Sequence, residues 1–253
     1  MRHESCNPHS LCREKPIVKR ALDVSPRILA RAAGLLYLTV IVAGMIAQMF
    51  ISGRLVVEGD AAATAANILA QEGVYRLGFT LYLIEMASQM AQFALFFLLL
   101  KPVSRSVALL ALVLGLVGCT IKTLSRLFYI APLLVLGDAG YLGVFSADQL
   151  QALALLFLEV NDQAAGIALA FFGVSTLLNG ALIFRSSFLP RFLGAVSVLG
   201  GLGWLTFLYP PLGYQLLPYV LVVGVVGAVA QILWLLIKGV NAEQWTRRAA
   251  EAA

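Results

Sequence analysis

Glu85, Gln89 and Gln92 recur at i, i+4 and i+7 inside a long apolar run. That spacing puts a carboxylate and two carboxamides on one face of a helix. Lys122 and Arg126 recur at i and i+4 in the next apolar run, and Glu159, Asn161, Asp162 and Gln163 open the one after it. An acid or base alone in lipid costs at least about 2.5–3.5 kcal/mol, so intramembrane charges pair or line a wet cavity. The spacing therefore predicts that Glu85 pairs with Lys122, and Arg126 with Glu159 or Asp162. One reading is that these pairs only set the register of three helices. The other is an outer vestibule, lined by Glu85, Gln89, Lys122, Arg126, Glu159 and Asp162, that binds an ion, a proton or a small anionic or zwitterionic solute. A third, weaker reading is an enzyme acting on lipid or quinone, with Glu85 as acid/base and Lys122 as electrostatic stabiliser.

The elements that must carry these charges follow from composition. Of the 253 residues, 60% are hydrophobic and only 12% charged. Soluble domains carry about 25% charged residues. A chain this poor in charge cannot cover a soluble surface, but it can fold with lipid as its solvent. The stretches between charges reach the roughly 20 residues that span a bilayer. The expected fold is all-α, an integral membrane bundle of six transmembrane helices over 28–241. The spans run from about Ala32 to Ile51, Leu77 to Leu100, Ser106 to Leu136, Asp162 to Phe184, Phe192 to Tyr209 and Tyr219 to Ile237. Residues 150–160 are expected to form a separate membrane-surface or vestibule segment, and PPLGYQLLP (210–218) a loop.

Asp60 is an N-cap for a short helix from Ala61 to about Gln71 in the first outer loop, with Gly73 as its stop. Its apolar positions are Ala62, Ala65, Ala66 and Leu69, and it should lie on the membrane surface or the bundle. Residues 1–27 read as a disordered basic tail and 242–253 as a polar tail.

Orientation follows from Lys and Arg placement. With the N-terminus inside, seven fall in residues 1–31, two in 101–105, two in 185–191 and three from Lys238 onward, which is 14 of the 18. Both termini are thus expected in the cytoplasm of a bacterial plasma membrane. Tyr75, Tyr129, Tyr141, Tyr209, Tyr214 and Tyr219 fall near the outer interface, where such rings collect. The net charge of +5 reflects span-flanking cations rather than a nucleic-acid surface.

Other chemistry is thin. Gln48, Asn179 and Gln231 are polar residues in apolar spans, where they most often bond a neighbouring helix. Gly173, Gly180, Gly194, Gly200, Gly201 and Gly203 permit close helix approach. His3, Cys6, His9 and Cys12 form a short run of zinc-competent types with the wrong spacing for a finger. Cys119 reads as a small packing residue. No nucleophile elbow, metalloprotease helix or phosphate loop is present, and no cofactor is implied.

ARAAGLLYLTVIVAG (30–44), RLVVEGDAAATAANILAQEGVYRLG (54–78), FRSSFLPRFLGAVSVLGGLGWL (184–205) and LWLLIKGVN (233–241) together resemble a bacterial membrane family, domain of unknown function 4386. The resemblance covers about residues 28–241, and the FRSxFLPRxLG segment is its most specific part. It implies a six-helix membrane protein and no particular activity. Residues 1–24 look like an extension beyond the family pattern, and a start at Val24 or nearby would give a compact tail.

Overall fold

The computed structural model describes residues 25–252. The His/Cys run at positions 3–12 and most of the basic tail lie outside them. The described chain is all helical, with six helices long and apolar enough to cross a membrane. They are α1 (Pro26–Leu55), α3 (Glu72–Leu100), α4 (Arg105–Val135), α5 (Ala147–Arg185), α6 (Arg191–Leu205, continued by a 3₁₀ turn over Thr206–Leu208) and α7 (Pro210–Ile237). Two short helices accompany them, α2 (Ala61–Ala70) and α8 (Ala242–Glu251).

Packing follows chain order. α1 lies against α3, α3 against α4, α4 against α5, α5 against α6, α6 against α7, and α7 returns to α1. The six spans therefore close into a ring. Their outward faces carry large apolar side chains such as Leu109, Val113, Leu116, Val222 and Val226. In water this would be untenable. In hydrocarbon it is the expected solvent contact, because a helix satisfies most of its backbone groups internally. One face of the ring carries the described ends of the chain. There Trp245 of α8 donates to the Leu99 carbonyl at 2.8 Å and Asn241 N donates to Phe188 O. We call this the terminal face, and the other the distal face.

Helix boundaries have local causes. Asp60 caps α2 by accepting from Ala63 N at 2.9 Å. Asp60→Ala should cost about 0.5–2 kcal/mol, read as a lower melting temperature of the purified protein. α2 ends at Ala70, and Gly73 falls inside α3 rather than stopping α2. α2 packs on α5 and buries Thr64, Ala65 and Ile68, while Leu69 is exposed. Its buried stripe is thus rotated from the expected one. Ser146 and Gln149 form a reciprocal capping box that starts α5 at Ala147.

α5 then runs 39 residues without a break. The expected division near residue 161 does not occur, since nothing between Leu150 and Phe184 interrupts a helix. At about 1.5 Å per residue α5 is close to 60 Å long, so it projects well past a bilayer core of roughly 30 Å. α7 likewise starts at Pro210, earlier than expected. Pro210 and Pro211 occupy its first helical positions, where a missing N–H costs nothing. The segment read as a loop is the first two turns of the helix.

α1 contains the least expected feature. Its backbone is α-helical over Pro26–Met45, widens to a π-helix over Ile46–Ser52, and returns to α-helix at Gly53–Leu55. π-turns are rare and frequently occur at functional sites.

Candidate functional site

The widened turns of α1 face a polar layer buried between α1, α3, α4 and α5. Glu85 and Lys122 form its centre, with Lys122 Nζ 2.6 Å from Glu85 Oε1. Only 8% of the Glu85 side chain and 16% of the Lys122 side chain is accessible. Glu85 is 13 residues from the start of α3 and 15 from its end, which at about 1.5 Å per residue is mid-helix. The expected pair therefore exists, deeper than a surface vestibule. Gly44 of α1 makes room for it, because a Cβ there would lie 3.2 Å from the Glu85 carboxyl carbon. The second carboxylate oxygen, Oε2, is buried without a hydrogen-bond partner.

Arg126 lies one turn further toward the distal face and is 2% exposed. It pairs with neither Glu159 nor Asp162. Its Nη1 donates to Asn161 Oδ1 at 3.0 Å, and Asn161 Nδ2 donates to Asp162 Oδ1 at 2.9 Å. The reason is the continuity of α5. At about 100° per residue, Asn161 continues the buried stripe of Ala154 and Leu158, while Glu159 and Asp162 turn away. Asp162 thus reaches Arg126 through an amide, and Glu159 stays on the exposed side. The Arg126 guanidinium sits 3.7 Å from the Tyr82 ring centroid, a desolvated cation–π contact, and its Nε has no partner.

Three tyrosines close the layer toward the distal face. Tyr75 stacks on Tyr129 with ring centroids 4.5 Å apart, and Tyr82 meets Tyr129 edge-on at 5.1 Å. The Tyr75 hydroxyl donates to the Tyr129 carbonyl. Tyr82 donates to Gln48 Oε1 at 2.7 Å, and Ser52 Oγ lies 3.1 Å from the Tyr82 hydroxyl and 3.2 Å from that of Tyr129. Gln48 and Ser52 both belong to the π-helical segment. The widening thus presents two polar side chains to one tyrosine cluster. Tyr75 and Tyr129 are core residues rather than members of an interfacial belt. Tyr141, Tyr209 and Tyr219 are exposed, as a belt requires. Tyr214 is also surface-accessible and donates to the Asp162 carbonyl at 3.0 Å.

Sequence spacing brought out Glu85, Lys122 and Arg126 in this layer. It missed Ser52 and Tyr82 as members, and it named Asn161 without seeing it as the partner of Arg126, because no pattern in the chain announces a π-turn or the rotation of α5. Gln89 points away from the ion pair and donates to Gln92 Oε1 at 3.2 Å. Among the described residues no group of three or more His, Cys, Asp or Glu side chains could hold a metal ion.

The family model described as Domain of unknown function (DUF4386) matches residues 32–239, which takes in α1 from Ala32 onward, the other five spans whole and every residue of this layer. The chain belongs to this family. No curated protein and no solved structure matches it. For this DUF4386 chain the chemistry of the site must therefore be read from its geometry. It offers a carboxylate with one oxygen committed to an ammonium and one uncommitted, a guanidinium held by an aromatic face and an amide, and the linked hydroxyls of Ser52, Tyr82 and Tyr129.

Proposed function

We propose that this membrane protein handles a proton or small monovalent cation within the bilayer, with Glu85 as the exchanging group. The observation that carries this reading is the buried, unpartnered Glu85 Oε2. Buried polar atoms of native proteins almost always have partners, and an exception calls for an explanation. A free acceptor on an intramembrane carboxylate suits a transient proton or cation. Lys122 holds the other oxygen and limits the cost of the charge. Arg126 and the tyrosine layer form the distal boundary of the site. We place the chain in a bacterial cytoplasmic membrane with both termini in the cytoplasm. The Lys/Arg bias of the connecting segments supports that orientation.

The test is flux into vesicles. Purified protein reconstituted in liposomes with an internal pH dye should accelerate proton entry after an acid step. Glu85→Gln, which keeps shape and removes the exchangeable charge, should reduce the rate at least about tenfold. Rates equal to those of protein-free vesicles for protons, Na⁺ and K⁺ alike would remove this reading.

A non-catalytic structural bundle is the second reading, favoured by the tight burial of Arg126. It requires only that the charges meet, not which helix carries which. The burial of Glu85 leaves a lipid-borne substrate no direct contact with its carboxylate, which weighs against an enzyme.

A further inference from the structure

A second polar cluster lies on the ring axis, nearer the terminal face than the ion pair. Five of the six spans contribute to one small cavity: α1 through Tyr37, α3 through Gln89 and Gln92, α5 through Thr176 and Asn179, α6 through Ser197, and α7 through Gln231. Asn179, Ser197 and Gln231 are each six residues from the terminal-face end of their helices, so all three lie at one depth, about 9 Å in. Their convergence needs three helices to agree in both rotation and height. Phe93 and Phe96 complete the wall.

The lining has a definite chemistry. It contains carboxamides and hydroxyls, and no charged side chain. Gln89 donates to Gln92 and Ser197 donates to the Leu193 carbonyl. The carboxamides of Asn179 and Gln231 and the hydroxyls of Tyr37 and Thr176 are not bonded to other described residues and face the cavity. Polar groups at this depth require partners, and the lipid supplies none. The cavity volume is about 50 Å³. A water needs roughly 10–15 Å³ measured in this way, so there is room for three or four non-hydrogen atoms.

We propose that this axial cavity is a binding site for a small uncharged planar solute of the carboxamide or urea class. An ion would enter without a countercharge, since the nearest carboxylate, Glu85, is bound to Lys122. A ligand with donors and acceptors together matches carboxamides that offer both. A planar one also fits a wall made partly of phenylalanine rings. The site is separate from the ion pair and does not depend on proton or cation exchange there.

Saturation-transfer NMR on the full-length protein in nanodiscs tests this, with acetamide as the probe. Acetate and acetamidinium serve as charged controls of the same size and planarity. A ligand this small binds weakly, so a saturable acetamide signal is expected in the millimolar range. It should exceed the signal of either charged control at least fivefold. Asn179→Leu and Gln231→Leu should each weaken it at least tenfold, while Glu85→Gln/Lys122→Met, which removes both charges together, leaves it unchanged. Replacing a half-buried amide that has no protein partner by an apolar side chain of similar size should not harm folding, and Thr176→Val offers a third, gentler change. No saturable acetamide signal, equal binding of the charged controls, or full binding by folded leucine variants would overturn the proposal.

Discussion

Lys122→Met is expected to destabilise the folded bundle by about 3–5 kcal/mol, the usual consequence of stranding one member of a buried ion pair. Glu85 would keep its place between α1 and α4, with Gly44 behind it and no cation in front. The double variant Glu85→Gln/Lys122→Met should regain most of that loss. Neutral side chains of similar size remove both charges and leave the helices to pack. The non-additivity is the signature, and it is read from unfolding of the three variants in mixed detergent micelles. Additive losses would mean that the two residues do not interact in the membrane.

Gly194→Val should be comparably damaging for a different reason. A Cβ at Gly194 would lie 2.5 Å from Phe184 N and 2.8 Å from Gly180 O, both backbone atoms of the facing helix α5. No rotamer relieves such a contact, so α5 and α6 must separate. Gly173 and Gly201 repeat the arrangement two turns away, where a Cβ at Gly201 would sit 2.7 Å from Leu177 N. Overpacking typically costs 1–3 kcal/mol and sometimes more, and here we expect about 3 kcal/mol or failure to assemble. Gly200 is the internal control. Nothing lies within 4 Å of a Cβ there, so Gly200→Ala should be neutral or slightly stabilising through backbone entropy. Thermal aggregation of the purified variants separates the two outcomes. Equal behaviour of Gly194→Val and Gly200→Ala would contradict the observed α5–α6 interface.

The six spans were legible because lipid imposes one rule along the whole chain. Runs of apolar residues long enough to cross, broken by charges, leave few alternatives. The Glu85–Lys122 pair was legible for a related reason: two opposite charges on neighbouring spans at matching depth have little else to do. What could not be read depended on rotation. Asn161 rather than Asp162 faces Arg126 because α5 continues without a break, and no residue near position 161 signals continuity or interruption. Pro210 and Pro211 read as breakers, yet the same residues start α7.

The axial cavity was hidden for another reason. Asn179 and Gln231 were each visible as a polar residue in an apolar span. Their meeting with Tyr37, Gln89 and Ser197 exists only once the ring closes. The π-helical stretch of α1 has no sequence signal that we can identify. Its consequence is plain, since it brings Gln48 and Ser52 to the Tyr82 hydroxyl and Ser52 to that of Tyr129 as well.

The charge-swapped chain, Glu85→Lys with Lys122→Glu, probes the proposed role of Glu85 most directly. Unfolding and proton entry should be measured on the same reconstituted sample. If Glu85 exchanges protons, the swap recovers stability toward that of the native chain, because the opposite charges still meet, but proton entry stays at the vesicle background. If stability and proton entry both return, the two charges serve only to hold α3 and α4 in register, and the proposed role of Glu85 is wrong.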